Sequence, residues 1–96
     1  MADNSFGAAL RKLRLARGLS QQDFVTVVSR EHISRLERGV SQPNLEVVEG
    51  LANVLGVHPL SLLALSYQQA AAAHQPLNAL LETIEIDLGG LGPISP

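Results

Sequence analysis

Three arginines stand close together in the stretch from Ser29 to Gly39, S-R-E-H-I-S-R-L-E-R-G, and these side chains are the ones in the chain best suited to chemistry with a partner. At about 100° per residue, a helix over this stretch gathers Arg30, Glu31, Ser34, Arg35 and Arg38 on one arc and leaves His32, Ile33, Leu36 and Glu37 on the other. Arginine carries a permanent, weakly hydrated, forked charge whose N–H groups match guanine O6 and N7 and the oxygens of phosphate. A short helix presenting several of them is suited to the major groove of DNA, where Glu31 adds an acceptor for a cytosine amino group. Charged helix faces are more often plain solvated surface, so the reading depends on the elements that position this helix.

Ser29 can accept a hydrogen bond from an early helical N–H, and Gly39 is free to take a left-handed cap, so both ends of the helix are marked. In the preceding Leu19-Ser20-Gln21-Gln22-Asp23-Phe24-Val25, Ser20 and Asp23 approximate a capping box and predict a second short helix. At most Thr26 to Ser29 separates the two. That closeness is the helix-turn-helix arrangement, in which the second helix enters the groove.

The run from Leu10 to Leu55, with L-R-x-A-R-G-L-S-Q-Q-D-F, then S-R-E-H-I-S-R-L-E-R-G, then Q-P-N-L-E-V-V-E-G-L-A-N-V-L-G-V, resembles the helix-turn-helix domain of the Xre and phage-repressor (Cro/cI-like) family of transcriptional regulators. It departs from the family pattern at the turn, where the chain between Phe24 and Ile33 is about two residues shorter and Thr26-Val27-Val28 replaces the usual small residue. The resemblance implies a sequence-specific regulator that binds double-stranded DNA as a homodimer on a near-palindromic operator. It implies base contacts from Arg30, Glu31 and Arg35, with Ser34 close by, and phosphate contacts from Gln21, Arg38, Gln42 and Asn44. It also implies that Arg14, which does not fit the exposed arc of the first helix, is tucked against Glu37 as a structural ion pair.

A net charge of −2 at first argues against a polyanion as partner. The distribution reverses that inference. Residues 1–40 hold all seven cations against four acids, a net +3, whereas residues 41–96 hold five acids and no Lys or Arg. Such asymmetry suits a chain with one end toward nucleic acid and the other away from it. With no cysteine there is no disulfide, thiolate metal site or cysteine nucleophile. His32, His58 and His74 form no HxxxH or HExxH pair, Gly89-Gly90-Leu91-Gly92 precedes no helix that could cradle phosphate, and no GxSxG elbow occurs. We therefore expect no metal, no cofactor and no enzyme. No apolar run approaches the roughly 20 residues needed to span a bilayer and no leader pattern opens the chain, so the expected address is the cytoplasm.

The remaining chain reads as further helices. Phe6, Leu10 and Leu13 mark the first, from about Ser5 to Arg17, stopped by Gly18; Asn44 caps a fourth carrying Leu45, Val48, Leu51, Ala52 and Leu55. Gly50 inside it suggests a close helix contact that needs the missing side chain. Pro59 opens a fifth, to Ala73, that is apolar on nearly all sides and so calls for cover from a partner subunit. Leu77, Leu80, Leu81, Ile84 and Leu88 predict an amphipathic sixth, although Ile84, Ile86 and Leu88 also alternate as a strand would. The expected architecture is all-α: a five-helix repressor-like domain over 1–66, a helical dimerisation or partner-binding extension over 67–88, and a flexible tail over 89–96. The dimer interface is expected at Leu62, Leu63, Tyr67, Leu77, Leu80, Leu81 and Ile84. The alternative is an antitoxin-like module whose C-terminal half binds a protein partner while the helix-turn-helix autoregulates.

Overall fold

Apolar residues recurring every three or four positions become helices through most of the chain, and the computed structural model describes residues 5–70 and 76–91. The elements are α1 (Ser5–Ala16), a 3-10 turn (Gln21–Phe24), α2 (Arg30–Arg38), α3 (Leu45–Leu55), α4 (Pro59–Ala70) and α5 (Leu77–Gly89), with no strand among the described residues. The expected all-α class is therefore observed, and 77–89 is helix rather than strand. Met1–Asn4, residues 71–75 with His74, and 92–96 of the expected tail lie outside the described residues.

One apolar core joins the first five elements. Phe6, Ala9 and Leu10 of α1, Phe24 of the 3-10 turn, Ile33 and Leu36 of α2, Val48, Leu51 and Leu55 of α3, and Leu62 of α4 are all buried. Helix boundaries follow local chemistry. Ser29 Oγ accepts from the His32 N–H at 3.1 Å, and Asn44 Oδ1 accepts from the Val47 N–H at 2.8 Å, each satisfying a first-turn donor that has no helical partner. At the end of α2, Gly39 adopts φ 82°, and the Val40 N–H reaches back to the Arg35 carbonyl at 2.9 Å, closing the helix with a left-handed cap.

The second element differs from the expected helix. It is one 3-10 turn of 4 residues, N-terminally fixed by the Asp23 carboxylate, which accepts from Ser20 N–H (2.7 Å) and Ser20 Oγ–H (3.1 Å). The β-branched run Val25-Thr26-Val27-Val28 is costly to place in a helix, and the short connection to Ser29 leaves no room for another α-turn. Phe24 is nonetheless fully buried, so the turn docks as a helix would. Val27 fills the space over Gly50 of α3, where an added Cβ would lie 2.7 Å from Val27 Cγ1. The missing side chain at Gly50 thus admits a turn residue rather than a second helix.

Two expectations about the C-terminal half are corrected. Leu62, expected at a subunit interface, is 0% exposed and belongs to the core, because α4 lays its Leu62 and Ser66 edge against α1. α4 is therefore covered on one side by its own chain, with Leu63 half-buried and Leu60 and Tyr67 facing out. The expected division at 66/67 also falls inside α4, which runs unbroken to Ala70. α5 has no buried residue and touches the rest only lightly through α4.

Gly7 sets how closely α1 crosses α2. A Cβ there would press into the backbone carbonyl oxygens of Leu36 and Glu37, the latter at 2.6 Å, and backbone cannot move aside as a side-chain tip can. In an ordinary helix interior Gly→Ala gains about 1 kcal/mol. Here we expect the opposite sign: Gly7→Ala should destabilise the domain by about 1–3 kcal/mol in urea melts, the usual cost of overpacking. A stabilised variant would show that the two helices do not cross in contact.

Candidate nucleic-acid interface

Helix α2 is held from beneath by one polar cluster. Arg14 on α1 donates from Nε to Glu37 Oε2 at 2.6 Å and from Nη2 to Glu37 Oε1 at 3.0 Å, a bidentate pair whose side chains are 11% and 4% exposed. Arg14 Nη1 also donates to the Leu19 carbonyl at 3.0 Å, tying the end of α1 to the same cluster. Gln21 Nε2 donates to Glu37 Oε1 at 3.2 Å. One carboxylate on α2 thus gathers α1 and the 3-10 turn. The hydrogen bonds to Glu37 hold the Arg14 guanidinium above its ordinary pKa, outweighing the opposing effect of burial.

Ile33 and Leu36 anchor the underside of α2, and the opposite arc faces outward. Arg30, Glu31, Arg35 and Arg38 are exposed, and Ser34 between them is half-buried. Among the described residues Arg14 with Glu37 is the one side-chain ion pair, so neither Arg30 nor Arg35 is neutralised by an acid. Arg38 donates from Nε to Ser34 Oγ at 3.3 Å, which orients its guanidinium along the helix. Glu31 in the first turn and Arg35 and Arg38 in the last also complement the helix dipole, so these charges stabilise the helix that displays them.

The four residues expected at phosphates are arranged around α2 rather than on one element. Arg38 lies near its C-terminal end, and Gln42 and Asn44 are exposed in the loop that follows. Asn44 spends its Oδ1 on the α3 cap. Gln21 is half-buried and turned toward Glu37, so its amide has a structural partner that sequence reasoning did not foresee. Sequence reasoning also missed Gly7, whose one signal was a glycine inside an otherwise good helix former. Among the described residues no group of three His, Asp or Glu side chains could hold a metal ion, and no single helix is long and apolar enough to cross a membrane.

Residues 10–62 match the family model described as helix-turn-helix. The SPbeta prophage-derived uncharacterized HTH-type transcriptional regulator YonR of Bacillus subtilis (strain 168) is 36% identical over 67 residues, covering 67% of this chain and 61% of that protein. The chain thus spans less than two thirds of that relative's length. No solved structure matches.

Removing the carboxylate of Glu37 would leave Arg14 buried, charged and short of two acceptors. Glu37→Ala should cost about 3 kcal/mol of stability, measured by denaturant melting. A loss below about 0.5 kcal/mol, typical of surface substitutions, would place the pair in solvent instead.

Proposed function

The chain belongs to the helix-turn-helix family of Xre and Cro/cI-like proteins, and from that membership we propose that it is a DNA-binding transcriptional regulator acting in the cytoplasm as a homodimer on a near-palindromic operator. The observation that carries the reading is the outward arc of α2, with Arg30 and Arg35 exposed and unneutralised on a helix locked to its scaffold through Glu37. In this reading Arg30 and Arg35 address guanine, Glu31 accepts from cytosine, and Ser34 lies at the same base edges. Arg38, Gln42, Asn44 and Gln21 hold the phosphate backbone and set the register of the helix in the groove.

Two-fold assembly would use the apolar surface left over from the core. Leu63 and Tyr67 of α4 with Leu77, Leu80, Leu81 and Ile84 of α5 supply it, and four of the six are more than two-fifths exposed: Tyr67 at 68%, Leu77 at 48%, Leu81 at 49% and Ile84 at 42%. An apolar stripe of this length on a small chain calls for cover. Two copies related by a two-fold axis would present two α2 helices to half-sites about one helical turn apart. The same stripe favours a second reading, in which α5 takes a different protein and the helix-turn-helix autoregulates, as in an antitoxin.

Affinity for operator and scrambled duplexes across a salt series tests the readout. Arg35→Ala should lose about 1–3 kcal/mol on the operator and little on scrambled DNA, whereas Arg38→Ala should weaken both alike and lower the salt slope by about one. Equal losses on both duplexes for Arg30→Ala and Arg35→Ala would show that the arc does not read bases.

Assembly is tested by sedimentation of a chain ending at Gln75. It should be monomeric at concentrations of about 1–10 μM, near the usual range for weak self-association, where the full chain is dimeric. A truncated chain that stays dimeric would move the interface to α4 and leave α5 for the protein partner.

A further inference from the structure

Six exposed cations remain once Arg14 is paired, and only three of them belong to α2. Arg11 and Lys12 project from α1, and together with Ala8, Leu15, Glu37 and Arg38 they line one open cleft between α1 and the C-terminal end of α2. The acid in that lining is already compensated, since both Glu37 oxygens accept from Arg14. Arg11, Lys12 and Arg38 therefore leave the cleft with three uncompensated positive charges. The C-terminal dipole of α2 points there too, but it amounts to about half a negative charge, and two of its last four carbonyls, those of Arg35 and Leu36, are bonded by the Gly39, Val40 and Ser41 N–H groups. The field over the cleft is positive.

Arg38 links this cleft to the outward arc of α2, so the two surfaces are continuous. Arg17, the third cation outside α2, is placed differently: its Nη1 lies 3.6 Å from where a Cβ on Gly56 would stand, beside the turn between α3 and α4. Three exposed cations on or near α1 therefore divide into two that extend the α2 surface and one directed at another corner of the domain.

We propose that Arg11 and Lys12 form, with Arg38, a phosphate-binding face on α1, so that the DNA backbone beside the groove is gripped by the scaffold helix as well as by the helix inserted into it. The inference rests on the DNA-binding reading and extends its contact surface to α1, which precedes the 3-10 turn and α2. Phosphate contacts of this kind release condensed counterions and carry no sequence information. Their signature is a salt slope that changes equally on every duplex.

The test measures binding of the full chain to a random-sequence duplex and to the operator over a salt series, comparing wild type with Arg11→Gln/Lys12→Gln and with Arg17→Gln. Arg11, Lys12 and Arg17 are all exposed, and matching thermal melts would verify that the variants fold. The double variant should lower the slope of log K against log salt by about 1.8 on both duplexes, the value for two lost phosphate contacts, while Arg17→Gln leaves it unchanged. An unchanged slope for the double variant would overturn the proposal. So would a fall of similar size per charge for Arg17→Gln, since the effect would then follow net charge rather than a face. Failure of the wild-type chain to bind either duplex would instead refute the DNA-binding reading beneath it.

Discussion

The crossing of α1 over α2 is the constraint on which the rest of the domain depends. Two features of α1, seven residues apart, hold it: Gly7 lets the backbones close at Leu36 and Glu37, and Arg14 takes both oxygens of the Glu37 carboxylate. Without the glycine the helices stand too far apart for the pair to stay dry, and without the pair a buried guanidinium has no counter-charge. A bidentate contact also has direction, because a planar fork meets a planar carboxylate in few orientations. The crossing therefore fixes rotation as well as distance, and the rotation of α2 decides which side chains face outward.

Charge is divided along the same plan. Cations are confined to residues 11–38, on α1, the turn after it and α2, while the later helices bear acids alone. Net charge by itself gives −2 and misrepresents both ends. A polyanion approaching the molecule would meet a positive surface in one orientation only, which biases encounter toward the productive one before any specific contact forms. The acidic half in turn would repel nucleic acid from the apolar stripe of α5.

Much of this was legible in the sequence, and what was not has a common cause. The caps at Ser29 and Asn44 and the stop at Gly39 are local, so a few neighbouring residues specify them. The partnership of Arg14 with Glu37 was legible through family resemblance, supported by an arginine off the exposed arc of its helix. The 3-10 turn at Gln21–Phe24 was not, because a capping box and a buried phenylalanine serve a 3-10 turn and an α-helix equally well, and the shortened connection decides between them. Leu62 was misplaced for a similar reason: periodicity shows that a helix has an apolar side, and only the packed chain shows whether α1 already covers it. Gly7 and Gln21 owe their roles to the spacing of elements distant in sequence, which no local pattern encodes.

The bare stripe of α5 has a thermodynamic consequence of its own. A helix of 13 residues with no buried side chain draws little from the domain beneath it, and helices of that length are marginal alone in water. A partner that covered the stripe would therefore also stabilise the helix, making the ordering of α5 and association a single linked event. Part of the interaction energy would go into that ordering, which lowers affinity for a given buried area. The core draws no residue from α5, so occupancy of α5 could change while the fold that presents α2 stays intact.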